Sequence, residues 1–163
     1  MVADGPSPED QTRRFDVCRF ELSGAYNKAA MPGKGESGAE DLEYFEREGY
    51  LEVRMKGTYA LERFKRQISF LFQACKDRGF QRMLADVRAM ITMDALSTLD
   101  RYAMGEHAAR VGGRVSVAML GLPAQFDAER FGAQVAQNRG MKIRTFTDPK
   151  KALDWLTSAD AAP

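Results

Sequence analysis

Asp86, Ser97 and His107 lie close together in the chain and are the residue types that make an orienting carboxylate, a nucleophile and a base. Residue counting alone does not exclude such a triad, yet no Gly-x-Ser-x-Gly elbow surrounds any serine. His107 is the single histidine, spaced to share a helical face with Leu99, Ala103 and Val111. A satisfied histidine at the edge of the core is the simpler reading, with general base or ligand as the alternative. Ser97 is followed three residues later by Asp100, a capping box that accounts for the serine without chemistry. Asp86 is either a turn-stabilising carboxylate or part of an interaction site, and Asp94 is a turn residue of the kind that bonds its own backbone.

Three further groups could bind something. Met90, Met93 and Met104 are core filler, or three adaptable thioethers around one turn that suit an apolar partner. Arg139, in Asn138-Arg139-Gly140, faces the negative pole of a helix end, with anion binding as its functional alternative. Gly112-Gly113 follows a helix instead of preceding one, so it is a stop and not a phosphate loop. With one histidine, and with Cys18 and Cys75 unpartnered in sequence, no metal-ligand spacing exists and no cofactor is expected.

The elements that position these residues follow from periodicity. Residues 15–22 alternate as a strand, with Phe15, Val17 and Cys18 turned inward, and residues 23–40 have the glycine-rich composition of a linker. The first 40 residues are therefore expected to be a flexible extension. Within it lies an edge strand, or an arm that docks on a second subunit in a homodimer. From Leu42 a strand, a turn at residues 46–49 and a strand from Tyr50 to Gly57 make a hairpin. An amphipathic helix runs from Tyr59 to Arg78, buries Leu61, Phe64, Ile68, Leu71, Phe72 and Cys75, and stops at Gly79. Met83, Leu84, Ala85 and Val87 form a short buried strand with Asp86 at its carboxyl end. A turn over residues 88–98 then leads to the helix capped by Ser97. Val115, Val117, Met119 and Leu120 are a strand, Asp127 caps a helix carrying Ala128, Phe131 and Val135, and Met141 to Phe146 is the last strand. Asp148-Pro149 opens the final helix, pinned by Ala152, Leu153, Trp155 and Leu156.

Alternation of this kind predicts an α/β domain over residues 41–158: a mixed, mostly parallel sheet of about five strands with four covering helices. Residues 159–163 are expected to be a disordered tail. The 163-residue chain is 44% apolar and 29% charged with a net charge of +1, so it carries no basic footprint for nucleic acid. No apolar run reaches the roughly 20 residues of a membrane span, and the amino terminus lacks a signal-peptide core, which points to the cytoplasm.

Residues 42–157 resemble the STAS-type, SpoIIAA-like domain of bacterial anti-sigma-factor antagonists, and within it a STAS- or CRAL-TRIO-like branch. The motifs that carry the resemblance are Leu-Ala-Asp-Val-Arg at 84–88, Ser-Thr-Leu-Asp-Arg-Tyr at 97–102 and Asn-Arg-Gly at 138–140. Phe-Thr-Asp at 146–148 and Ala-Leu-Asp-Trp-Leu at 152–156 complete the set. The resemblance implies a SpoIIAA-like fold and a non-enzymatic, partner-binding role. Anti-sigma antagonists place an Asp-Ser pair before the helix that follows their central strand, and a kinase phosphorylates that serine. Asp94-Ala95 stands at the corresponding place, so the usual phosphoacceptor is missing, with Ser97 and Thr98 nearby as substitutes. The expected protein-binding surface is Asp86, Arg88, Asp94, Ala95, Ser97 and Thr98. The CRAL-TRIO similarity implies an alternative, a carrier of a lipid-like or other apolar small molecule with a cavity of roughly 300 Å³ or more near the methionines. A hydrolase using Ser97 and His107 comes last, since it needs the two side chains within about 3 Å.

Overall fold

The computed structural model describes residues 41–162. The expected edge strand at residues 15–22, Cys18 and the extension as a whole lie outside the described residues. What is described is an α/β fold in which five strands form one mixed, mostly parallel sheet.

The hairpin comes first. β1 (Leu42–Arg47) pairs antiparallel with β2 (Tyr50–Thr58) across Glu48 and Gly49, and Gly49 supplies the positive φ of 82° that so tight a loop demands. Strict alternation in β2 sends Leu51, Val53 and Met55 into the core and Glu52, Arg54 and Lys56 to the opposite face. α1 (Leu61–Arg78) returns the chain to β3 (Arg82–Ile91), α2 (Thr98–Gly112) to β4 (Ser116–Leu120), and α3 (Phe131–Gln137) to β5 (Ile143–Phe146). Sheet order follows chain order, β1-β2-β3-β4-β5. Each parallel crossover therefore steps in the same direction, and right-handed connections must put α1, α2 and α3 on one face.

The packing bears this out. Phe64, Leu71, Phe72 and Cys75 of α1, Ala108 of α2, and Ala133 and Ala136 of α3 share one core with Leu51, Val53, Met83, Ala85, Val87 and Val117. Each fully buried aliphatic or aromatic side chain there contributes about 1.5–3 kcal/mol. α4 (Pro149–Thr157) covers the other face, where Ala152, Trp155 and Leu156 meet Leu84, Ala118 and Leu120. Asp148 caps it as the sequence predicts, accepting from the amides of Lys150 (2.8 Å) and Lys151 (3.3 Å). On that same face the guanidiniums of Arg47 and Arg54 both lie against the Phe45 ring and both reach Glu52.

Several boundaries differ from the sequence expectation. β1 runs to Arg47, into the expected turn, α1 begins at Leu61 and not Tyr59, and β5 begins at Ile143 and not Met141. Three differences are larger. β3 does not end at Val87 but runs to Ile91, so Asp86 lies in mid-strand and residues 88–91 belong to the strand and not to a turn. The helix expected from Asp127 begins only at Phe131: the Asp127 carboxylate accepts the Phe131 amide at 2.9 Å, but Arg130 intervenes with a left-handed backbone. Past α4, residues Ala159–Ala161 form a 3-10 turn with Ala161 fully buried, so this part of the expected tail is packed.

Candidate functional site

The site expected from the sequence lies where β3 outruns its neighbour. β3 pairs with β4 only from Arg82 to Asp86, opposite Ser116 to Leu120. Beyond that point β4 turns away through Gly121, Leu122 and the 3-10 turn Pro123–Gln125, which leaves the upper half of β3 without its partner on that side.

One side chain makes up the loss. The buried amide of Gln125 donates to the carbonyls of Val87 and Met90, both at 3.0 Å, and its oxygen accepts the Leu122 amide at 2.8 Å. It bonds β3 much as another strand would, and satisfies backbone groups whose loneliness would cost about 1–3 kcal/mol each. On the other side, the β2 register slips between Arg54 and Lys56, which oppose Asp86 and Ala89. The extra residue in β3 is a bulge. Asp86 staples it, accepting from the Arg88 amide (3.1 Å), Nε (2.9 Å) and Nη2 (2.7 Å). Burial pushes the Asp86 pKa up, but these hydrogen bonds and the charges of Arg88 and Arg54 outweigh it and hold the carboxyl below its ordinary value. Asp86 and Arg88 are thus brought together, and each is occupied by the other.

The turn itself is short. Thr92 adopts a left-handed φ of 66°, a costly conformation for a β-branched residue, and leads into the 3-10 turn Met93–Ala95. Met90 and Met93 are buried and Met104 packs half-buried against the core, so all three are filler. Asp94 is exposed, but its carboxylate makes no hydrogen bond to the described residues, contrary to the backbone bond expected of it. Ser97 caps α2 as predicted: its hydroxyl accepts the Asp100 amide at 3.1 Å and donates to the Asp100 carboxylate at 2.8 Å. Ala95, Ser97 and Thr98 are exposed.

The remaining candidates are engaged elsewhere. His107 stands ten residues after Ser97 on the same helix, a rise of about 15 Å, so the pair does not meet. Arg110 donates to its Nδ1 at 2.9 Å, which leaves the proton on Nε2, 3.0 Å from the Lys65 carbonyl and 2.8 Å from the Ser69 hydroxyl. No lone pair on the ring faces Ser69, so this contact ties α1 to α2 and is not a nucleophile with its base. Burial is the main cause lowering the His107 pKa, helped by the charges of Arg110 and Lys65. Leu99, expected on the same covered face, is exposed. Arg139 reaches the Tyr102 hydroxyl at 2.9 Å, covers its ring and approaches Glu106 at 3.9 Å. The cavity beside Met93, Met104 and Met119 measures about 60 Å³, far short of the roughly 300 Å³ expected of an apolar carrier. Among the described residues no cluster of three or more His, Cys, Asp or Glu could hold a metal ion, and no helix is long and apolar enough to cross a membrane.

Sequence reasoning missed the apolar residues on this rim. Ile91 is 60% exposed, Leu99 75%, Leu122 47% and Tyr102 39%, and these are the exposed large hydrophobics of the described residues. The first three flank the turn: the end of β3, the first turn of α2 and the segment held by Gln125. A signal was present, since Leu122 sits beside Pro123 just past a strand, where no core position remains to take it. The sequence matches no protein-family model and no curated protein.

Proposed function

We propose that this protein is a non-enzymatic binding module that docks another protein on the rim formed by the end of β3, the turn to α2 and the segment after β4. One observation carries the reading: Ile91, Leu99 and Leu122 expose large apolar side chains at the end of the sheet where α/β folds usually meet their partners. The surface is broader than the set Asp86, Arg88, Asp94, Ala95, Ser97 and Thr98. Asp86 and Arg88 shape it, while Ala95, Ser97 and Thr98 lie on it between the apolar residues. The SpoIIAA-like resemblance of residues 42–157 favours the same role, a regulatory one. In that role Ser97 or Thr98, both exposed at the start of α2, would take the place of the hydroxyl that Ala95 lacks.

The test is cross-linking from the native host with wild-type protein, with Leu99→Asp, and with Glu62→Gln as a surface control. A specific partner captured by wild type and control but lost from L99D supports the rim. Equal capture by all three, or turnover of a substrate that depends on Ser97, removes the proposal.

A further inference from the structure

A second surface lies along the free edge of β5. The Val117 amide donates to the Lys142 carbonyl at 2.8 Å and the Gly121 amide to the Phe146 carbonyl at 2.9 Å. Alternation then turns the backbone groups of Lys142, Arg144 and Phe146 toward β4 and those of Ile143 and Thr145 outward. A side chain already holds one of the outward groups: the Gln137 amide donates to the Ile143 carbonyl at 2.7 Å. Nothing among the described residues bonds the backbone N–H or C=O of Thr145. Beside this edge runs an open groove of about 260 Å³, whose polar lining is Glu129, Arg130, Gln134, Gln137, Arg144 and Thr145.

The charge of the groove leans to one side. Arg130 rests on the Phe126 ring, 4.8 Å from its centroid, and Arg144 on the Trp155 ring at 5.5 Å. Stacking restrains both guanidiniums and leaves their N–H forks without a carboxylate among the described residues. Arg47, Arg54, Arg63, Arg78, Arg88 and Arg101 each sit on one, whereas Arg66, Arg82, Arg110 and Arg114 share the lack of a carboxylate but do not line the groove. Arg130 also holds a left-handed backbone, φ 55° and ψ 38°, which a residue other than glycine adopts only at a cost.

We propose that this edge accepts an extended acidic segment of a partner protein as a sixth strand. The added backbone bonds Thr145 and displaces Gln137 from Ile143, and carboxylates on neighbouring residues, which point to opposite faces of the sheet, lie on Arg130 on the α3 side and on Arg144 on the α4 side. Shortness and charge keep an edge of four residues from pairing indiscriminately. The same two cations that deter a neutral or basic strand select an acidic one. This surface is separate from the rim and does not depend on it.

The experiment is a titration of the full, isotope-labelled chain followed by NMR. Its probes are an end-blocked pentapeptide Val-Glu-Glu-Glu-Val, whose neighbouring glutamates reach both faces of the sheet, the same peptide with Lys for Glu, and inorganic phosphate. The acidic peptide should shift the Ile143 and Thr145 amides and the Gln137 side-chain amide, saturate, and weaken as salt is raised. Arg130→Gln and Arg144→Gln should each weaken it about fivefold or more, while the lysine peptide stays silent. Arg144→Lys keeps the charge and serves should R144Q lose its dispersed spectrum; it should bind between wild type and the R130Q variant. Phosphate giving the same shifts at the same concentrations would make this an anion site and not a strand acceptor. Unmoved edge amides, or affinity unchanged in R130Q, would likewise overturn the proposal.

Discussion

The side-chain amide of Gln125 donates to the backbone carbonyl of Met90 at 3.0 Å, joining the segment after β4 to the last turn-ward residues of β3. With the bond to Val87 and the one accepted from Leu122, a single buried side chain holds the two halves of the rim in register.

Gln125→Leu keeps the volume and removes all of these bonds. Two strand carbonyls and the Leu122 amide lose their partner, so stability should fall by about 2–4 kcal/mol in urea unfolding. Hydrogen exchange should quicken first at Leu122, whose amide loses its acceptor. A loss under about 0.5 kcal/mol would show that water replaces the amide at little cost.

Gly105 allows α2 and α3 to approach with no side chain between them. A Cβ there would lie 2.2 Å from the Gly132 carbonyl oxygen, and backbone cannot swing aside as a side chain can. Gly105→Ala should therefore destabilise by about 3 kcal/mol or more despite its better helix propensity. Gly112→Ala meets only the Phe72 ring and a Met141 methyl at 3.2–3.3 Å and should cost clearly less. Thermal denaturation of the two variants, with Glu106→Ala as an exposed control, gives the comparison.

The staple across the bulge titrates. Asp86 has a folded pKa below its unfolded value of 3.8, so its contribution is complete above about pH 4 and is lost as pH falls through the lowered folded value. Asp86→Asn should cost about 1 kcal/mol at neutral pH and flatten the acid limb of the stability curve below pH 4. An unchanged acid limb would mean that other carboxylates dominate it.

His107 acts in a higher window. Its folded pKa lies below the unfolded 6.5, so the unfolded chain takes up a proton while the folded one still resists. Stability is full above about pH 6.5, declines as pH drops through the lowered folded value, and then levels off. His107→Gln should remove that step and leave the lower one in place. A step persisting in that window would assign it to a group other than a histidine, since His107 is the only one in the chain.

Most of the scaffold was legible because its signals are local. The β2 alternation, the α1 stripe, the Ser97 and Asp148 caps and the Gly79 stop each need only neighbours in sequence to be read. The rim was harder. The length of β3 depends on Gln125, thirty-five residues on from Met90, and no periodicity reports that reach. A four-residue step from Leu99 drifts around a helix of 3.6 residues per turn, so spacing alone places Leu99 on a covered face that the structure gives to Gly105, Ala108 and Gly112. Arg130 delays the start of α3 through a backbone conformation that residue type alone does not foretell.

Because each of the five described strands lies beside the one made just before it, none of them has to be inserted between two already in place. The hairpin can form as a seed, and each later helix and strand can then be laid on an edge that already exists. A growing polypeptide leaving the ribosome offers its segments in that very sequence, so assembly and synthesis can keep step from the first turn to the last helix.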